Sequence, residues 1–120
     1  MARLGDLETA VMNELWVRPD GALARDLVAV LPSGPAHTTV LTILERLIHK
    51  GHVRRVRESR AHRYFAVRSK DAHVAELMRE AFVEAGDSQI ALTHFLESAS
   101  GSELLALRNA LQALDGDREQ

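Results

Sequence analysis

A mainly α-helical chain with one small β-hairpin is predicted by three features of this sequence. Apolar residues recur at helical spacing over most of its length, β-branched and aromatic residues gather between residues 52 and 67, and Pro/Gly turns separate the segments. The 120 residues are 46% hydrophobic and 27% charged, the composition of one folded domain or a small domain with an appendage. There is no cysteine, which excludes disulfides, thiolate zinc sites and cysteine nucleophiles. No apolar run approaches the ~18 residues of a membrane span, and MARLGDLETAVM has acids where a signal peptide needs its apolar stretch. A cytoplasmic protein without membrane insertion is expected.

The elements follow in order. Leu4, Leu7, Val11, Met12 and Leu15 predict an amphipathic helix over about residues 4–17, closed by Trp16 and followed by a Pro19-Asp20-Gly21 turn. Leu23, Leu27, Val30 and Leu31 predict a shorter second helix, which Pro32-Ser33-Gly34-Pro35 stops. A third helix spans about residues 36–50 and ends at Gly51; Val40, Ile43, Leu44 and Leu47 share its inner face. Thr38, Thr42, Glu45 and His49 lie opposite, with Thr39, Leu41 and Arg46 on the flanks, and neither Ala36 nor His37 is a preferred cap. Residues 52–57 and 62–67 read as the two strands of a hairpin around Glu58-Ser59-Arg60-Ala61. Ser69 is a plausible cap for a helix running to about Ala85, and Gly86-Asp87-Ser88 breaks it. A short helix carries Ile90, Leu92, Phe95 and Leu96. Ser100 and Glu103 have capping-box spacing for a last one, and Asp115 to Gln120 reads as a polar tail.

Charge is distributed unevenly. Residues 36–70 hold nine Lys/Arg against Glu45 and Glu58, a net +7, whereas residues 1–35 carry −2 and residues 71–120 carry −7. A mildly acidic protein that concentrates its cations on one helix and one hairpin presents them to a polyanion. Three helices followed by a hairpin match the winged helix-turn-helix arrangement, whose third helix fits the DNA major groove. The candidate DNA contacts are Thr38, Thr39, Leu41, Thr42 and Arg46 on that helix and Arg55, Arg57, Arg60 and Arg63 on the wing.

The acidic C-terminal region has another logic. Val74, Leu77, Met78, Phe82, Phe95, Leu96, Leu104, Leu107 and Leu111 exceed what one helix and two short ones can bury alone. A dimerisation arm is expected there, and a two-fold dimer predicts a palindromic site. Residues 1–69 are thus read as the winged-helix DNA-binding domain and residues 70–120 as the helical dimerisation region. The rivals are a winged helix serving RNA or protein contacts and a ligand-sensing regulator. An enzyme is not expected: no Gly-x-Ser-x-Gly turn, His-Glu-x-x-His helix or phosphate-binding loop is present. The six histidines read as surface or DNA-facing groups, and neither metal nor cofactor is expected.

LGDLETAVMNELW, HTTVLTILERLIHKGHV, RAHRYFAV and HFLESASGSELLALRNALQAL together resemble the penicillinase-repressor family, the BlaI/MecI/CopY type of bacterial winged-helix repressors, over nearly all of residues 3–114. The resemblance implies homodimers that bind inverted repeats similar to TACA/TGTA on double-stranded DNA and block promoters of antibiotic-resistance or stress genes. It puts Thr38, Thr39 and Thr42 at the family's DNA-reading positions. Some members place basic residues where Thr38 and Leu41 stand, which implies a shifted operator preference here. In the β-lactam branch a membrane sensor-protease cuts an Asn-Phe bond; the matching positions are His94 and Phe95, so only the Phe is kept. The copper branch senses through C-terminal cysteine pairs, which this chain lacks.

Overall fold

The structure, a computed structural model, describes residues 4–118. Its elements are α1 (Asp6–Trp16), β1 (Ala22–Leu23), α2 (Ala24–Val30), α3 (His37–His49), β2 (Val53–Glu58), β3 (Ala61–Ala66), α4 (Lys70–Glu84), α5 (Ser88–Ser98) and α6 (Gly101–Arg118). The strands form one antiparallel sheet in the order β1-β3-β2. This is a winged helix-turn-helix followed by further helices. Two compact units form along the chain, the first ending at Leu77 and the second beginning at Met78, within α4.

The core of the first unit is built from the residues whose spacing predicted it. Val11, Met12 and Leu15 of α1, Leu27 of α2, and Val40, Ile43, Leu44 and Leu47 of α3 are buried together with Leu31, Val53 and Tyr64. Each fully buried aliphatic side chain stabilises by about 1.5–3 kcal/mol, so this cluster fixes the three helices and the hairpin as one body. At the start of α1 the Gly5 N–H donates to Glu8 Oε1 (3.1 Å). Glu8 also accepts from Lys50 Nζ at 2.9 and 3.0 Å, joining the first turn of α1 to the end of α3. That ammonium, ahead of the cost of burial, holds the Glu8 carboxyl below its ordinary pKa.

Four local expectations change. No sequence signal marks β1, which pairs Ala22 with Tyr64 and Leu23 with Arg63; two residues are too few for a periodic pattern. Val30, one of the apolar residues that predicted the second helix, is 46% exposed, at the last position of α2. His52, expected at the surface, is buried, since it follows the α3 turn and its N–H is donated to the Leu47 carbonyl (2.9 Å). Residues 115–118, read as part of a polar tail, continue α6; residues 119–120 lie outside the described ones.

The caps behave as expected further on. Ser69 Oγ accepts from the Ala72 N–H (3.1 Å). Ser100 and Glu103 form the reciprocal capping box, at 3.2 Å to Ser100 Oγ and 2.8 Å to Glu103 Oε1. Asp87, read from the sequence only as part of the break between helices, caps α5 through the Gln89 and Ile90 N–H groups.

Gly21 has φ +78°, and a Cβ there would lie 2.8 Å from the Tyr64 carbonyl oxygen and from Phe65 Cε1. Gly51 has φ +85° with no atom within 4 Å of such a Cβ. Gly51→Ala is expected to cost about 1–2 kcal/mol from backbone strain alone. Gly21→Ala adds overpacking against backbone that cannot retreat, for a total of about 3 kcal/mol or more. Urea denaturation of both variants checks this; equal losses would mean that β1 does not need its close approach to β3.

Candidate nucleic-acid interface

Burial of Val40, Ile43, Leu44 and Leu47 on one side of α3 commits the other side outward. Thr38, Thr39, Thr42, Glu45, Arg46 and His49 are exposed, and Leu41 is half-buried against the core edge. Thr42 Oγ1 donates to the Thr38 carbonyl (3.0 Å), so its hydroxyl hydrogen is engaged within the helix and its methyl is free to face a partner. Ala36, the residue before α3, offers no side-chain cap, and no acid stands in the first turn. The first N–H groups of α3 therefore add partial positive charge at this end.

The hairpin register sorts the wing arginines. Arg55 pairs with Tyr64 and Arg57 with His62, which puts both arginines on the face that Tyr64 buries toward the helices. Arg54, Val56, Arg63 and Phe65 occupy the other face, where the Arg54 guanidinium sits 4.3 Å from the Phe65 ring centroid. Arg55 is ion-paired with Glu45, tying the wing to the outer side of α3. Arg63 bonds Glu58 at 2.7 Å and reaches the Gly21 carbonyl at 3.5 Å, and it holds the Glu58 carboxyl below its ordinary pKa. Arg46, Arg57 and Arg60 have no acidic partner among the described residues.

Between the wing tip and the starts of α2 and α3 runs an open cleft of about 540 Å³, lined by Arg25, His37, Leu41, Arg60 and His62 among others. Glu58 is the acid on its wall and is already bound to Arg63. Two guanidinium groups and two imidazoles thus converge on one groove beside the outer face of α3.

Over residues 4–113 the sequence fits the family model described as penicillinase repressor. The chain belongs to the penicillinase repressor family. It is 44% identical over 120 residues to a protein named transcriptional regulator BlaI in Mycobacterium tuberculosis, strains CDC 1551 / Oshkosh and ATCC 25618 / H37Rv, covering 96% of this chain and 87% of the relative. Among solved structures it resembles a MarR family protein from Bacillus stearothermophilus (TM-score 0.51, 18% identity, 99% of this chain and 78% of that one). A MarR family transcriptional regulator from Rhodococcus sp. RHA1 is similar (TM-score 0.51, 18% identity, 92% and 74%). At such identities these two likenesses concern the winged-helix fold alone. Penicillinase repressors are regulators of transcription, and the chain is not an enzyme.

Within this penicillinase-repressor chain the structure brings Thr38, Thr39, Thr42 and Arg46 onto one exposed surface and places Arg57 and Arg60 beside it. It separates Arg63, which faces away and is held by Glu58. Arg25 is a cleft residue that sequence reasoning passed over, and His37 and His62, read only as surface or DNA-facing groups, join it there. Their signal was β1: pairing with β3 pulls the start of α2 against the wing, and a two-residue strand leaves no pattern to read.

The residues assigned to dimerisation are placed differently. Val74, Met78, Phe82, Phe95, Leu96, Leu104 and Leu111 are all exposed, and Leu77 and Leu107 are half-buried. Met78, Phe82, Leu92, Phe95 and Leu107 line an apolar hollow of about 330 Å³ in the second unit. His94 and Phe95 lie in the middle of α5, both exposed. Among the described residues no helix is long and apolar enough to cross a membrane, and no group of three or more His, Asp or Glu side chains is placed to hold a metal ion.

Proposed function

We propose that this penicillinase-repressor chain is a sequence-specific DNA-binding repressor that acts as a homodimer on inverted-repeat operators. The observation that carries this reading is the cationic groove of Arg25, His37, Arg60 and His62 running beside the outward threonine face of α3. A duplex seated there puts α3 in the major groove and one phosphate strand between helix and wing. Thr38, Thr39, Leu41 and Thr42 then meet base edges, with the Thr42 methyl suited to a thymine methyl. Arg46, Arg55, Arg57 and Arg60 meet phosphates, as does Arg25. Arg55 leaves Glu45 cheaply, because an exposed ion pair is worth about 0–1 kcal/mol.

The dimer is supported by the apolar side chains that the second unit leaves in water. Met78 and Leu111 are each 61% exposed, Ile90 58% and Phe82 46%. A second copy is the cover that two-fold operators call for. Control of resistance or stress genes follows the family resemblance. Release by a membrane sensor-protease cutting at His94-Phe95 is part of the same reading; both residues are helical, so the bond must first be unwound into extended backbone. RNA as the ligand is disfavoured by the burial of Tyr64 and by the Arg54 guanidinium that covers one face of the half-buried Phe65 ring, both of which work against stacking a base on the wing.

Selection of bound fragments from random DNA, with the winner titrated against salt, tests the proposal. An inverted repeat bound by two protomers, weakening about 10³–10⁵-fold from 50 to 200 mM salt, is expected; no enriched sequence would remove the DNA-reading claim. Arg60→Ala should weaken all sequences about equally and lower the salt slope by about 1. Thr42→Ala should lose about fourfold in preference for the selected site while Thr42→Val keeps it, the value of one buried methyl. If Thr42→Val fails as badly as alanine, the hydroxyl and not the methyl does the reading. Met78→Glu and Leu111→Glu should leave the helical content unchanged and yield monomers in sedimentation; dimers in both variants would refute the proposed interface.

A further inference from the structure

Three aromatic rings stack where the winged helix meets the first turns of α4, and DNA reading uses none of them. His52 is 6% exposed and clamped through its backbone, its N–H donating to the Leu47 carbonyl and its carbonyl accepting from the Val67 N–H, both at 2.9 Å. The His73 ring, on α4, meets the His52 ring edge-on with centroids 5.3 Å apart. On its other side His73 lies 5.2 Å from the Trp16 ring of α1. Trp16 is fixed in turn, because its Nε1–H donates to the Arg68 carbonyl (3.1 Å). His73 is therefore a link by which α4 is held to α1 and to the end of α3.

The charges around this stack are mostly of one sign. Lys50 stands at the end of α3, Arg68 on the connection from β3, and Lys70 at the start of α4 lies 6.0 Å from the Trp16 ring. The acid facing His52 is Glu8 of α1, and it is bound by Lys50 at 2.9 Å. A proton added here finds cations and an occupied carboxylate.

We propose that His52 is a proton-operated latch: neutral and buried, it packs edge-on against the His73 ring and holds the first turns of α4 against the winged helix, and protonated, it gives up that buried place and releases them. Burial first, then the charges of His73, Arg68 and Lys50, lowers the His52 pKa, with Glu8 opposing. The sign follows from that direction. The released form takes up the proton at a higher pH than the latched form. The stabilisation is fully present above the ordinary histidine value of about 6.5 and is lost as pH falls below it toward the lower, latched-state value. Acid opens the latch. Because α4 leads into the helices proposed to join two copies, opening frees the link between the two reading heads and weakens binding to an inverted repeat; this consequence rests on the DNA-binding reading above.

Trp16 is the only tryptophan and packs against the His73 ring, so its emission reports whether α4 is held, and the protein carries its own reporter. The full chain, His73→Gln and His52→Gln are titrated from about pH 8 to about pH 5, following Trp16 emission and the hydrogen-exchange protection of residues 70–77. The wild type should lose emission and α4 protection in one step below about pH 6.5, and His73→Gln should abolish the emission step. A flat wild-type profile, or the same step in His73→Gln, overturns the latch. Should His52→Gln not fold, His73→Gln decides the matter alone. Affinity for the selected operator, measured over the same range, should fall about tenfold in the wild type relative to His73→Gln; an equal pH dependence in both overturns the regulatory role. Absence of specific binding even at about pH 8 would instead count against DNA reading, which emission and exchange do not involve.

Discussion

The buried stripe of α3 is the constraint on which the rest of the first unit depends. Val40, Leu44 and Leu47 are fully buried, and Ile43 nearly so. Removing any one of them would cost on the order of 2–5 kcal/mol, a large part of the stability of a small domain. With that face committed to α1, α2 and Tyr64, the helix cannot rotate, and the threonines are presented outward as a consequence of packing. The proposed recognition surface is thus held by the core and not by contacts of its own.

Electrostatics then divides the cations into two kinds. Lys50 is structural: its partner Glu8 is largely buried, and losing one member would strand a charge inside the protein. Arg63 is structural as well, because it binds Glu58 and the carbonyl of Gly21 and so braces β1 against the wing. The exposed cations Arg46, Arg57 and Arg60 have no such duty among the described residues, and the Arg55–Glu45 pair is too exposed to hold its arginine against a phosphate. A net +7 between residues 36 and 70 therefore overstates the charge available to a ligand. The groove of Arg25, His37, Arg60 and His62 is a better measure of it.

The second unit is explained by what it fails to bury. Helices α5 and α6 are capped well, by Asp87 and by the Ser100–Glu103 box, so local signals suffice to start them. Capping contributes only about 1 kcal/mol per helix end, and several leucines and two phenylalanines left half in water forgo about as much apiece, more in sum than the caps supply. The proposed dimer would supply a cover, and the acidity of the unit suits a protein partner better than DNA.

The sequence by itself determined the helices, the hairpin, the caps of α4 and α6 and the inner face of α3. These rest on periodicity and on bonds between residues three or four apart, which a linear reading can see. It also located the charge and the family. Only the tertiary structure decided which arginines are available, since Glu58 and Arg63 or Glu45 and Arg55 become partners through strand register and helix position. Tertiary structure alone likewise revealed β1, brought Arg25 to the wing, and buried His52 beside His73. Their separation along the chain, from 21 residues between the histidines to 42 between Ala22 and Tyr64, leaves no local pattern; such contacts exist only once the hydrophobic core has folded the chain back on itself.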